Sequence, residues 1–237
     1  MAYACHRKAV EGLGVDDSVF YRQFAVPLTG HVRRIAQDDI YRVFCEAFPP
    51  RSTAKILDLG VANDISQHAN FFERRYPYQH MMTCAGLGDG GNFLAAFPHL
   101  AYVQIAAHNA LPFADREFDV VFSNAVLEHV GGREQRRRFV GEALRVGCDA
   151  FISVPNRWFP VEHHTGVPLL HFWPALYRRA VRATPLRYWS EPKHLDFLSA
   201  KSLMHECADR PGLRVTHCGI RLGMFSSNIA AIWKRKS

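Results

Sequence analysis

The run Leu111-Pro112-Phe113-Ala114-Asp115-Arg116-Glu117-Phe118-Asp119-Val120-Val121-Phe122-Ser123-Asn124-Ala125-Val126-Leu127-Glu128-His129-Val130 decides how the rest of the chain is read. A polar loop ending in Asp115 enters a compact apolar, β-rich segment at Phe118 to Phe122, a small-residue turn follows, and Glu128-His129 comes next. Short apolar strands bounded by turn residues are what a sheet buried on both faces requires. Working outward, Lys55 to Gly60 predicts a first strand entering a turn, and Ile65 to Tyr76 a helix closed by Pro77. Further strands are expected at Met81 to Ala85, Ala101 to Ala106 and Ala150 to Val154, with a helix over Arg133 to Val146. A helix from about Ser199 to Arg210 and strands at Leu213 to Cys218 and Ser227 to Trp233 close the pattern. Repeated strand–helix alternation implies an α/β fold, a mostly parallel sheet with helices on both faces.

Residues 1–50 read as a helical N-terminal extension, with helical periodicity over about 17 to 47 (Phe20, Phe24, Ile35, Ile40, Val43, Phe44) ended by Pro49-Pro50. Residues 51–237 read as the main domain, interrupted at about 155–198 by an insertion rich in Pro, His and aromatics. Composition is ordinary for a globular protein, 48% hydrophobic and 22% charged. The six cysteines form no C-x-x-C pair, which suits reduced, buried thiols in a cytoplasmic protein. The N-terminus lacks the apolar core of a signal peptide, and no apolar run is long enough to span a bilayer. A net charge of +7 gathers at Arg133 to Arg138, Arg178 to Arg187 and Lys234 to Lys236. It is compatible with an anionic surface, a phosphorylated substrate, nucleic acid, or simply a solvated basic face.

Together, Ile56-Leu57-Asp58-Leu59-Gly60 and the Leu-Pro-Phe to Leu-Glu-His run resemble the class I S-adenosylmethionine-dependent methyltransferases. Val154-Pro155-Asn156-Arg157-Trp158-Phe159-Pro160-Val161-Glu162-His163-His164-Thr165 narrows this to a type 11-like branch often met in bacterial surface-polysaccharide contexts. The resemblance runs from about Ile56 to Leu203. It implies a Rossmann-like sheet with a terminal antiparallel strand, S-adenosylmethionine as cofactor, and methyl transfer to a small-molecule or lipid-linked glycan acceptor, a sugar hydroxyl being one candidate.

The family's cofactor turn is an acidic residue followed by three alternate glycines. Asp58 and Gly60 match, Ala62 is a mild change, and Asp64 replaces the third glycine and is expected to cap the following helix. Asp89 is the nearest carboxylate to the end of the second strand, where the family binds the ribose. His108 and Asn109 flank the expected adenine position, which falls near Ala107, and Asn124 lies beyond the fourth strand.

Methyl transfer is an in-line displacement that mainly needs positioning, and an oxygen nucleophile also needs a proton acceptor. His129 and His164 are the candidate bases, with Glu128 as an orienting group; the alternative for His129 is packing against or capping the next helix. Asn156, Arg157, Glu162 and His171 are candidate substrate contacts, Arg157 as a two-pronged anion grip. Glu162, His163, His164 and His171 fit no standard metal-ligand spacing, so no metal is expected.

The mixed aromatic and arginine content of His171 to Trp189 fits either a lid or contact with an anionic membrane at the inner face. Three rival readings stay open. One is a non-catalytic binding or scaffold protein that has lost its cofactor, and a second is a nucleic-acid methyltransferase. The second lacks an Asn-Pro-Pro-Tyr-type motif after the fourth strand, and nucleic acid is not expected as a partner. The third is a nicotinamide dehydrogenase, disfavoured because no G-x-G-x-x-G follows the first strand.

Overall fold

The computed structural model describes residues 29–64, 66, 69–207 and 211–235. Phe20, Phe24, Ile65, the end of the helix expected to reach Arg210, and Lys236 of the basic tail lie outside the described residues.

Seven strands form one sheet in the order β3-β2-β1-β4-β5-β7-β6. They are β1 (Ile56–Leu59), β2 (Met82–Gly86), β3 (Ala101–Gln104), β4 (Phe118–Asn124), β5 (Gly147–Pro155), β6 (Leu213–Leu222) and β7 (Phe225–Trp233). The pairs among β1 to β5 are parallel, whereas β7 runs antiparallel to both β5 and β6. This is the mostly parallel, Rossmann-like methyltransferase sheet with an antiparallel C-terminal strand that the resemblance implied.

Side-chain alternation along the strands splits the interior into two cores. Ile56, Val120, Phe122, Phe151, Ala230 and Ile232 face one layer, built by α1 (Thr29–Ala47), α2 (Phe71–Arg75) and α3 (Gly91–Ala96). Leu57, Leu59, Val121, Ile152, Ile229 and Ala231 face the other, built by α4 (Arg133–Val146) and α6 (Ala200–Glu206). The first core is aromatic at its centre: Phe72 stacks on Phe122 at 3.9 Å between ring centroids, and Phe44 meets both Phe122 and Phe151 edge-on at 5.5 Å. α1 thus supplies Ile40, Val43, Phe44 and Ala47 to the same core as the sheet.

Five elements differ from the sequence reading. Of the helix expected over Ile65 to Tyr76, the described residues show α2, and ahead of it Asp64 closes a local turn by accepting from the Ser66 N–H at 2.8 Å and its hydroxyl at 2.9 Å. Asn70 then takes a left-handed conformation (φ 51°) before the helix starts, so Asp64 is not its cap. α3 was not anticipated; it is short and begins at two glycines with poor helix propensity. β5, β6 and β7 are longer than their apolar cores suggest: β5 starts early because its parallel ladder with β4 reaches back to Gly147 opposite Phe118, and β6 and β7 because their antiparallel ladder continues through Arg221 and Ser226.

The diagnostic loop is fastened to α4. Glu142 accepts from the Leu111 N–H at 2.8 Å, while Arg145 donates to the Leu111 and Phe113 carbonyls, each at 2.9 Å. The insertion after β5 consists of short 3-10 turns around α5 (Pro174–Arg182). Its outer face exposes Leu169, Trp173 and Leu176 beside Arg179 and Arg182, which is where the expected membrane contact would fall. Among the described residues, no helix is long and apolar enough to cross a membrane.

Candidate functional site

The strand order reverses between β1 and β4, and crevices form at the carboxyl ends of strands at such a switch point. A cavity of about 600 Å³ opens there. Asp58, Gly60, Ala62, Asn124 and Val126 line its inner end, Ala107, His108 and Asn109 its rim, and His129 and His164 a third side. The sequence candidates from β1, β4, the loop after β3 and the insertion therefore meet around one space.

Gly60 makes the sharp exit from β1. Its φ is +100°, and a Cβ built there would lie 2.4 Å from Cγ2 of Val126 across the switch point. Only glycine suits both conditions. The N–H groups of Gly60 and Val61 donate to the Ala85 carbonyl at 2.8 and 3.1 Å. Where further glycines were expected, two asparagines brace the loop instead. The Asn70 side chain accepts from the Ala62 N–H at 2.9 Å and donates to the Ala62 carbonyl at 2.7 Å. Oδ1 of Asn63 accepts from the Asn92 and Phe93 N–H groups at 2.8 and 3.1 Å, tying the loop to α3.

Two carboxyl groups from different elements share the cavity wall. Burial, reinforced by the nearby Glu73, holds Asp58 well above its ordinary value. Burial likewise raises Glu73 from 4.5 to about 7. Neither Glu73 oxygen has a hydrogen-bond partner among the described residues. Sequence reasoning missed Glu73; the available signal was an acid set directly after Phe71-Phe72 on an otherwise apolar helix face.

In the ligand-free protein, an ionised Glu73 opposes folding. The penalty is absent below its ordinary value of 4.5, grows as pH rises, and is complete above about 7. Glu73→Gln is accordingly expected to stabilise the protein at pH 8 by up to about 3 kcal/mol and by little at pH 4.5. Urea unfolding at both pH values checks this, and an equal effect at the two would contradict it.

At the opposite end, His129 and His164 face one another with their Nε2 atoms 3.1 Å apart. Nδ1 of His129 lies 2.6 Å from the His194 carbonyl, and Nδ1 of His164 lies 2.9 Å from Oε1 of Glu162. Glu162 also accepts from the His164 N–H and from the Thr165 N–H and hydroxyl. Trp189 walls the pair, 4.9 Å from the His164 ring and 5.9 Å from that of His129.

Burial and the neighbouring His164 lower His129 to about 3. His164 moves the other way: burial disfavours its charge, but the Glu162 carboxylate outweighs burial and raises it. Glu162 is itself buried, yet His164 and the surrounding donors hold it down at about 2. Burial raises Glu128 to about 7. The two ring nitrogens that could act on an acceptor are thus turned on each other.

The remaining candidates lie elsewhere. Asp89 is exposed, outside the cavity lining, and accepts from the Gly91 N–H at 3.0 Å at the start of α3; Leu87 lines the cavity at the end of β2 instead. Asn156 bonds the Ser226 carbonyl at 3.0 Å, Arg157 the Phe172 carbonyl at 2.8 Å, and His171 the Phe159 carbonyl at 2.9 Å. Asn156 ties the start of the insertion to β7, Arg157 and His171 hold the insertion's own backbone, and Glu162 reaches the cavity only through His164. Their positions explain the motif's conspicuous polar residues without placing them against a ligand.

Comparison with known proteins agrees with the fold. Residues 78–148 match the family profile described as a methyltransferase domain. No curated protein sequence matches the chain. Among solved structures, the fold is similar to a SAM-dependent methyltransferase from Thermotoga maritima (TM-score 0.57, 15% identity, 89% of this chain and 94% of that one). It is similar to another from Aquifex aeolicus (TM-score 0.54, 13% identity, 92% and 98%). It also resembles the magnesium protoporphyrin IX methyltransferase from Synechocystis, solved with bound SAH (TM-score 0.53, 10% identity, 95% and 90%).

Proposed function

We propose that the chain is a class I, S-adenosylmethionine-dependent methyltransferase that methylates an oxygen nucleophile of a small-molecule or lipid-linked acceptor, a reading supported by the methyltransferase-domain match over residues 78–148 and by the fold. The observation that carries this is a single cavity joining the Gly60 loop to the His129–His164 pair. Such a cavity lets two ligands meet end to end, which is what an in-line displacement requires.

The residues present fit the cofactor. It is cationic at its methionine end, where Asp58 and Glu73 offer two buried carboxyl groups, one of them without a partner among the described residues. The apolar Leu87 and Ile105 and the rim groups of His108 and Asn109 suit an adenosine. When bound, S-adenosylmethionine supplies an electrophilic methyl group. The chain's part is to hold both ligands in line and to exclude water. The His129–His164 end, closed by Trp189, receives the acceptor's polar group. A sugar hydroxyl is the acceptor of choice in this reading, on the family context of the motif after β5.

Titration calorimetry with S-adenosylmethionine and S-adenosylhomocysteine tests the cofactor half. One site per chain with Kd on the order of micromolar is expected, followed by label transfer to a sugar or lipid-linked glycan in an acceptor screen. A non-catalytic binding protein is the second reading, favoured by Asp89 standing outside the cavity and by the altered loop. A folded sample that binds neither ligand would decide for it.

A further inference from the structure

We propose that Glu128, His129 and His164 hold one divalent transition-metal ion of the zinc class, with an open coordination position facing the cavity. This deepens the reading of the site given above and rests on it for the ion's use, though not for its binding.

Each of the three residues offers one donor atom, and these atoms lie within 4.8 Å of one another. The two Nε2 atoms are 3.1 Å apart, and Oε1 of Glu128 is 3.9 Å from that of His129 and 4.0 Å from that of His164. Ligands at zinc bond lengths around a tetrahedral ion stand about 3.3 Å apart. The imidazoles already meet that spacing, and the carboxylate needs to close by roughly half an ångström.

The surrounding bonds aim the donors. In each ring Nδ1 is taken up by an oxygen, the Glu162 carboxylate for His164 and the His194 carbonyl for His129. An acceptor at Nδ1 fixes the tautomer that leaves the Nε2 lone pair outward, the usual support of a metal-bound histidine. Two neutral rings so oriented would set lone pair against lone pair. A proton on His164 relieves that conflict and sets a positive charge 4.0 Å from Glu128, but that is too far for a hydrogen bond and leaves the carboxyl group without a donor among the described residues.

Glu128 is the second, independent observation. It is 1% exposed, and neither of its carboxylate oxygens has a hydrogen-bond partner among the described residues. A buried carboxylate without donors is costly, and a cation between it and the two rings removes the cost. Its backbone is fixed for the task, since the Glu128 carbonyl accepts from the Asp196 N–H at 2.9 Å.

Two imidazoles and one carboxylate favour zinc, cobalt, manganese or iron over calcium or magnesium, which prefer all-oxygen sets. His129 and His164 line the cavity beside His163 and Lys193, so a further ligand can reach the ion from that side. The class of ligand is an oxygen donor, a hydroxyl or carboxylate of the acceptor. The three residues come from two segments 35 positions apart, so the ligand set has no local spacing in the sequence.

Protein stripped with a chelator and titrated with Co²⁺ and Zn²⁺ tests the proposal. One ion per chain and visible Co²⁺ absorption bands are expected. His129→Ala and Glu128→Gln, which remove or weaken a ligand, should each cost more than the roughly 10-fold loss typical of removing an outer-shell support, each variant being checked for native circular dichroism. Glu162→Gln, which leaves the three donors in place, should weaken it less. Failure of the folded wild-type protein to bind one ion, or affinity unchanged in both His129→Ala and Glu128→Gln, overturns it. The outcome separates from the cofactor titration: Co²⁺ binding without S-adenosylmethionine binding keeps the ion site and removes the methyltransferase reading, and the reverse removes only the ion.

Discussion

Arg136→Ala is expected to destabilise the protein by about 3–5 kcal/mol, enough to exhaust much of a domain's stability. Arg136 lies on the buried face of α4 and is 5% exposed. Its Nε donates to Glu206 at 2.8 Å, and Nη1 donates to Asp196 at 2.6 Å and to the Gly131 carbonyl at 2.8 Å. Truncation strands the Glu206 carboxylate, itself 7% exposed, against the second core. The cost comes from that uncompensated buried charge more than from the lost attraction. The double variant Arg136→Met with Glu206→Leu should therefore recover most of the loss, because both charges are then gone. Urea unfolding of the two variants is the measurement, and a double variant no more stable than the single one would refute the explanation. The effect reaches the site as well, since Asp196 also holds the Glu128 carbonyl and approaches Arg178 of α5 at 3.6 Å.

Gly60→Ala is the second large effect, and it separates binding from folding. At φ +100° an L-residue is strained by about 1–3 kcal/mol. The added methyl would also lie 2.4 Å from Cγ2 of Val126 and 3.0 Å from Cγ1, a collision worth a further 1–3 kcal/mol or so. Because Gly60 and Val126 are the two lips of the switch point, relief requires β1 and β4 to part at the cavity. Affinity for S-adenosylmethionine should fall by at least about 10-fold, with a lower midpoint in urea. Adding Val126→Ala removes both Cγ contacts but not the backbone strain, so it should restore part of the stability. Unchanged cofactor affinity in folded Gly60→Ala would show that this turn does not shape the binding site.

Much of the scaffold was legible because it rests on local signals. The apolar runs at Ile56, Met82, Phe118 and Ala150 each reach sheet positions buried on both faces, where period and composition report directly on environment. The turn at Gly60 was also readable, since positive φ narrows the choice of residue. The loop after it was not. Its geometry is set by Asn70 and Asn63 reaching across eight and about thirty residues, and no glycine pattern encodes such side-chain braces. Asp89 illustrates the converse: proximity in sequence to β2 suggested a cofactor contact, but the start of α3 claims its carboxylate.

The sequence by itself determined the α/β alternation, the strand that carries Asp58, and the residue types available near a transferred methyl group. Those properties follow from short-range periodicity and turn chemistry, which act within a few residues. Only the tertiary structure decided which polar groups face the cavity. Asn156 turns to a carbonyl of β7 and Arg157 and His171 to carbonyls of the insertion, while His129 and His164 meet from segments 35 residues apart with Glu128 buried beside them. The physical reason is that a buried polar atom must find a partner wherever the folded chain provides one, and that partner is fixed by packing rather than by neighbourhood in the chain.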